Sequence, residues 1–160
     1  MTDTAPRHQQ RERALSLLYE AELKGESPLV VVDALPVPPD PFVRSLVAQA
    51  VATWEEADRR IGAASVGWPL DRMAVIDRIV LRLAVAELLS PDGPPVAVVI
   101  DEAVELVKEY STDESGRFVN GILSTIAADV APDVAPDVAP GGAPAPADPP
   151  EAAPPALPPG

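Results

Sequence analysis

The stretch PPVAVVIDEAVELVKEYSTDESGRFVNGILSTIA, residues 94–127, decides the fold class, because its opening can be read in two ways. Val96-Ala97-Val98-Val99-Ile100 alone has the composition of a β-strand. Pro95 in front of it suits the first turn of a helix, and the pattern runs on amphipathically. Ile100, Ala103, Val104 and Val107 fall on one side, while Asp101, Glu102, Glu105 and Lys108 fall on the other. The spacing predicts a helix from Pro95 to about Tyr110. Ser111-Thr112-Asp113 is a capping sequence. It opens a further helix carrying Phe118, Val119, Ile122, Leu123 and Ile126. With this stretch helical, no convincing sheet remains elsewhere, and the class is all-α.

Upstream, MAVIDRIVLRLAVAELL (73–89) reads as a helix that begins near Asp71 and ends before Pro91. Met73, Ile76, Val80, Leu83 and Leu88 point inward, and Asp77, Arg78, Arg82 and Glu87 call for an exposed side. Asp40-Pro41 is an N-cap followed by an N1 proline. It starts one long helix with Phe42, Leu46, Ala50, Trp54, Ala57 and Ile61 along a stripe. Pro36, Pro38, Pro39 and Pro41 force a loop, and Ser27-Pro28 opens a short apolar piece before it. Thr4 and Pro6 can start the first helix, which buries Ala14, Leu15, Leu18 and Ala21 and stops at Gly25. The expectation is a compact bundle of about six to seven helices over residues 1–130.

Downstream the composition changes. From Ala131 the chain is Pro, Ala, Gly and acid; 11 of the 21 prolines lie between Pro132 and Pro159, and Asp-Val-Ala-Pro repeats at 129–132, 133–136 and 137–140. Frequent proline removes amide donors, and the side chains are too small to make a core. Residues 131–160 are therefore expected to be a disordered acidic Pro/Ala-rich tail.

Composition narrows the function. The absence of cysteine excludes disulfides and thiolate chemistry, and the single histidine, His8, excludes multi-histidine metal sites and ordinary Ser-His-Asp triads. Asp101 and Glu102 diverge by about 100° on their helix and cannot flank one bond. No catalytic residues, cofactor or metal site are expected, so the reading is not an enzyme. The longest uncharged run in the helical part, Phe118–Ala128, is far short of the roughly 18 residues of a membrane span. With no export signal at the N-terminus, the expected location is the cytoplasm. Of the net charge of −13, five units arise from Asp129 onward, leaving −8 on residues 1–128. A body that acidic cannot bind nucleic acid broadly, so any RNA site must be local. The candidate is Arg7, His8, Arg11 and Arg13, with Arg7 and Arg11 one turn apart. They could grip phosphates or stack on unpaired bases, or they could be a solvated first turn. Lying upstream of the apolar stripe, they should take little part in packing.

Three stretches carry a resemblance: RHQQRERALSLLYEAEL (7–23), MAVIDRIVLRLAVAELL, and the opening quotation with its Pro-x-x-x-x-Ile-x-Glu-Ala-x-Glu-Leu-x-Lys pattern, Ser-Thr-Asp turn and Phe-Val-Asn-Gly-Ile-Leu. In order and spacing, over roughly residues 6 to 128, the chain resembles the NusB family of transcription antitermination factors. The resemblance implies a helical fold in two subdomains. It also implies binding of boxA-type single-stranded RNA from ribosomal RNA leaders together with NusE, a small-subunit ribosomal protein, inside the RNA polymerase antitermination complex. The alternatives are a protein-only helical scaffold that has lost RNA binding, or a free-standing relative of the RNA-binding domain of RNA cytosine methyltransferases.

The resemblance also places RNA near Ser115, Arg117 and Phe118. Helix N-termini offer amides to phosphate, although Asp113 and Glu114 repel it and Phe118 is also a plausible core residue. Tyr19 and Asp77 are implied for the NusE surface. A core-edge role for Tyr19, and a solvated or ion-paired role for Asp77, are the structural alternatives.

Overall fold

In a computed structural model, residues 6–131 are described, so the tail reading for 132–160 lies outside the described residues. Seven α-helices are found among them and no strand: α1 Arg7–Lys24, α2 Pro28–Asp33, α3 Pro41–Ala52, α4 Trp54–Ala64, α5 Val75–Leu89, α6 Val96–Tyr110 and α7 Asp113–Val130. Residues 96–100 are helical, as the flanking proline indicated.

Local chemistry sets the boundaries. α1 ends where Gly25 takes φ 64°, in the left-handed region glycine enters without strain, and Glu26 N then donates to Ala21 O at 3.1 Å. Asp40 Oδ1 accepts from Phe42 N at 2.8 Å to open α3. Thr112 Oγ1 accepts from Ser115 N at 3.1 Å to open α7.

Two boundaries differ from the sequence expectation. The long helix from Asp40 through Ile61 is two helices, broken at Thr53 (φ −103°, ψ 9°), whose hydroxyl donates to Gln49 O at 2.8 Å. Such back-bonding threonines bend helices. The break serves packing: α3 lies against α1 and α5, whereas α4 lies against α5 and α7. Asp71 does not start α5 either. It belongs to a 3-10 turn, Leu70–Arg72, and Met73 and Ala74 are extended before Val75 begins the helix.

The larger correction concerns the exposed side expected for α5. α5 packs against α1, α3, α4, α6 and α7, and every residue from Ile79 to Glu87 is buried. It is the axis that joins the α1–α3 group to the α4–α7 group. Asp77, Arg82 and Glu87 are consequently 4%, 7% and 6% exposed. Each has a partner on another helix: Asp77 with Ser115, Arg82 with Asp58, Glu87 with Arg11. Arg78, half-buried, reaches Glu22 at 2.7 Å. Leu15, Leu18, Ile79, Leu81 and Leu123 fill the space around this axis at 1% exposure or less. Burial of each such side chain contributes about 1.5–3 kcal/mol.

Candidate nucleic-acid interface

The start of α1 is positioned by α3, α5 and α6 together. Arg7 is exposed, and its guanidinium lies 3.7 Å above the Phe42 ring while Nη1 donates to Gln10 Oε1 at 2.7 Å. The side chain is thus pre-set over a flat apolar support, as cation–π contacts favour.

Arg11 shares the same face, 5.7 Å from the same ring, but its head group turns inward. Nε donates to Glu87 Oε1 at 2.9 Å and Nη2 to Glu87 Oε2 at 3.2 Å, a bidentate pair. The expectation that this turn takes little part in packing fails for Arg11, which is 7% exposed. Sequence spacing shows which residues share a face. It does not show that an acid 76 residues away will meet one of them.

His8 also faces the protein. Its Nδ1 is 2.8 Å from Glu102 Oε2, and its Nε2 is 3.3 Å from Glu12 and 3.4 Å from Glu109. The hydrogen bond to Glu102 holds the imidazole above its ordinary pKa, against an opposing effect of burial, and Glu109 and Glu12 add to the rise. Tyr110 closes the seam by donating from its hydroxyl to Glu12 Oε1 at 3.0 Å. Burial first, then Glu12 and Glu109, hold that phenol well above its usual range. Arg13 is half-buried, and no carboxylate among the described residues pairs with it or with exposed Arg117.

Tyr110 ends α6, and α7 begins three residues later, so the Tyr110–Glu12 bond ties α1 to the α6 end of the α6–α7 turn. Ser115 is fully buried, and its hydroxyl donates to Asp77 Oδ2 at 2.8 Å beside the hydroxyls of Ser111 and Thr112. It therefore works inward. Asp77 is the reverse of a solvated acid: burial raises its pKa, against the hydroxyls of Ser115 and Ser111, and its Oδ1 has no partner among the described residues. Phe118 and Tyr19 are half-buried and packed against the core.

Of these residues Arg7, at the start of α1, and Arg117, in the first turns of α7, are exposed, whereas His8 and Ser115 are engaged with the protein. Sequence reading missed Phe42 as the support for Arg7. It also missed Lys108, whose stem crosses α7 so closely that a Cβ on Gly116 would lie 2.9 Å from its Cε. The glycine at position 116 was the available signal. No helix among the described residues is long and apolar enough to cross a membrane.

Comparison with known proteins adds an independent observation. The model of the family described as NusB family matches residues 8–128. The transcription antitermination protein NusB of Saccharopolyspora erythraea is 45% identical over 128 residues, 76% of this chain and 86% of that protein. That of Streptomyces griseus is 43% identical over 129 residues, 75% of this chain and 90% of that protein. Among solved structures, T. maritima NusB aligns with TM-score 0.69 and 35% identity over 78% of this chain and 92% of that one. A crystal structure of the antitermination factors NusB and NusE in complex with dsRNA aligns with TM-score 0.63 and 33% identity, over 77% and 96% respectively.

Proposed function

The chain belongs to the NusB family, and from that premise we propose that it is a transcription antitermination factor that binds boxA-type RNA jointly with NusE. In this reading it works in the cytoplasm, within the RNA polymerase antitermination complex, and acts by binding rather than catalysis. The unit that does so is residues 1–130.

The observation that carries the RNA reading is the exposed Arg7 guanidinium laid on Phe42. A cation held flat at the surface can take a phosphate or extend the stack to an unpaired base. Arg13 and Arg117 complete the proposed phosphate contacts, and the half-buried Phe118 borders them. Arg11, His8 and Ser115, whose polar atoms are engaged inside the protein, support the surface from below. For NusE we propose the α1 flank around Tyr19, a half-buried aromatic of the kind found at interface rims, with Asp77 acting through its hold on α7.

Three phosphate contacts give a salt slope of only about −2, at roughly −0.7 per contact for single strands. Titration of boxA RNA across a salt series, with and without NusE, tests this. NusE should raise the affinity, and Arg7→Ala combined with Arg117→Ala should weaken binding at least tenfold and flatten the slope while NusE pull-down persists. Unchanged RNA affinity in that double variant would favour the protein-only scaffold, a reading that the inward commitment of Arg11 and His8 supports.

A further inference from the structure

His8 stands between four glutamates, two from each side of its ring. Glu12 lies one turn along α1, and Glu102, Glu105 and Glu109 recur along one face of α6. The two ring nitrogens have different surroundings. Nδ1 is 2.8 Å from Glu102 Oε2, the length of a charge-assisted hydrogen bond, with Glu105 more distant at 3.7 Å.

Nε2 is 3.3 Å from Glu12 Oε1 and 3.4 Å from Glu109 Oε2, long for hydrogen bonds to a ring nitrogen. Those lengths fit another arrangement. Two ligands each about 2.0–2.1 Å from a tetrahedral ion stand roughly 3.3–3.4 Å apart. The three atoms also lie within 4.8 Å of one another, so one ion can reach all of them.

We propose that His8 Nε2, Glu12 Oε1 and Glu109 Oε2 form a site for a divalent transition-metal ion, best matched by Zn²⁺, with solvent in the fourth position. A mixed imidazole and carboxylate set suits zinc, whereas magnesium and calcium prefer oxygen alone.

The surroundings are those of a supported site. Glu102 accepts from the Nδ1–H, which fixes the tautomer that leaves Nε2 free to ligate. The Tyr110 hydroxyl holds Glu12 by the same oxygen that would bind the ion. A protonated histidine supplies one positive charge against four carboxylates. The side chains of Glu12 and Glu102 are only 21% and 24% exposed, so the remaining repulsion is poorly screened. A bound dication relieves it and ties the first turn of α1 to the last turn of α6.

The site does not depend on the RNA reading and is tested without RNA. The full-length chain is titrated with ZnCl₂ by calorimetry and with Co²⁺ by visible absorption, which reports four-coordination. One ion per chain is expected, with a rise in melting temperature. His8→Gln and Glu109→Gln should each weaken Zn²⁺ binding at least tenfold, and Glu102→Gln about 10–100-fold, as loss of an outer-shell partner does. Glu105→Gln should change it less than twofold. Circular dichroism of each metal-free variant checks the fold. The proposal is overturned if binding does not saturate, if His8→Gln and Glu109→Gln bind like the parent, or if Glu105→Gln loses binding that Glu109→Gln retains.

Discussion

The two ends of α5 each bury a carboxylate, and they do so in opposite ways. Near its C-terminal end Glu87 meets Arg11 of α1 in a bidentate ion pair. Near its N-terminal end Asp77 has no cation partner among the described residues, only hydroxyls, of which that of Ser115 from α7 donates to its Oδ2. The two acids are 6% and 4% exposed, so burial does not distinguish them. The partner does. A paired carboxylate keeps its charge in a dry place, whereas one offered only hydroxyls is pushed toward its neutral form, and Asp77 is held above the usual carboxylate range for that reason. One end of the axis is thus locked to α1 by charge. The other is joined to the start of α7 by a hydroxyl that donates to an acid whose charge burial disfavours.

The largest effect should follow from splitting the pair. Arg11→Ala leaves the Glu87 charge buried and alone, and Glu87→Ala does the same to Arg11, so each should cost about 3–5 kcal/mol in urea unfolding. Arg11→Met with Glu87→Leu should recover most of that loss, because apolar residues of similar volume can replace a buried pair without penalty. If the single changes cost no more than a surface substitution, the pair is effectively solvated and the contrast between the two ends disappears. Arg11 is for this reason a poor probe of RNA binding: its loss is a loss of folding first.

At the other end, Ser115→Ala removes the single donor to Asp77 Oδ2 when Oδ1 already lacks a partner. An unsatisfied buried acceptor costs about 1–3 kcal/mol. The same change made in an Asp77→Asn background should cost less, because an amide carries no charge for the hydroxyl to stabilise. Equal costs in both backgrounds, measured as a double-mutant cycle, would show that the serine matters for packing of the α7 turn and not for the acid.

This contrast also shows where sequence reading reaches its limit. Helices α1, α2, α6 and α7 were legible because their caps and three- and four-residue spacings are local: Gly25, Ser27-Pro28, Pro95 and Thr112 mark them. The break at Thr53 was not, since nothing within the stripe Phe42–Ile61 says that its halves have different partners. The polar residues of α5 misled for a related reason. Periodicity assigns charged positions to solvent, and a central helix with neighbours on all sides has none to give. Arg11 and Glu87, and His8 and Glu109, lie 76 and 101 residues apart, so their meetings are products of the tertiary fold. The proposed site was legible at Arg7, Arg13 and Arg117 as charge, and illegible at Phe42 as support.

The smallest effect is also the most specific test of the comparison, and it is read as a difference in pH dependence. Asp77 binds its proton more tightly in the fold than in the unfolded chain, because burial raises its pKa. An acid with a raised folded pKa favours the fold fully below the unfolded value, about 3.9, and that contribution is lost as pH rises through the folded value. Asp77→Asn carries no titrating group and keeps an oxygen that can accept from Ser115. The stability of Asp77→Asn minus that of the parent should therefore climb as pH rises from the ordinary carboxylate range through the raised folded value, then level off. Taking the difference removes the other carboxylates, including Glu56, whose pKa is lowered by Arg59 and Arg60 and whose dependence has the opposite sign. Melting curves of both proteins from pH 3 to pH 8 give it directly. A flat difference would mean that water reaches Asp77 and keeps it ionised at no cost. A falling difference would mean that the hydroxyls of Ser115 and Ser111 outweigh burial, and Asp77 would then be a satisfied anion.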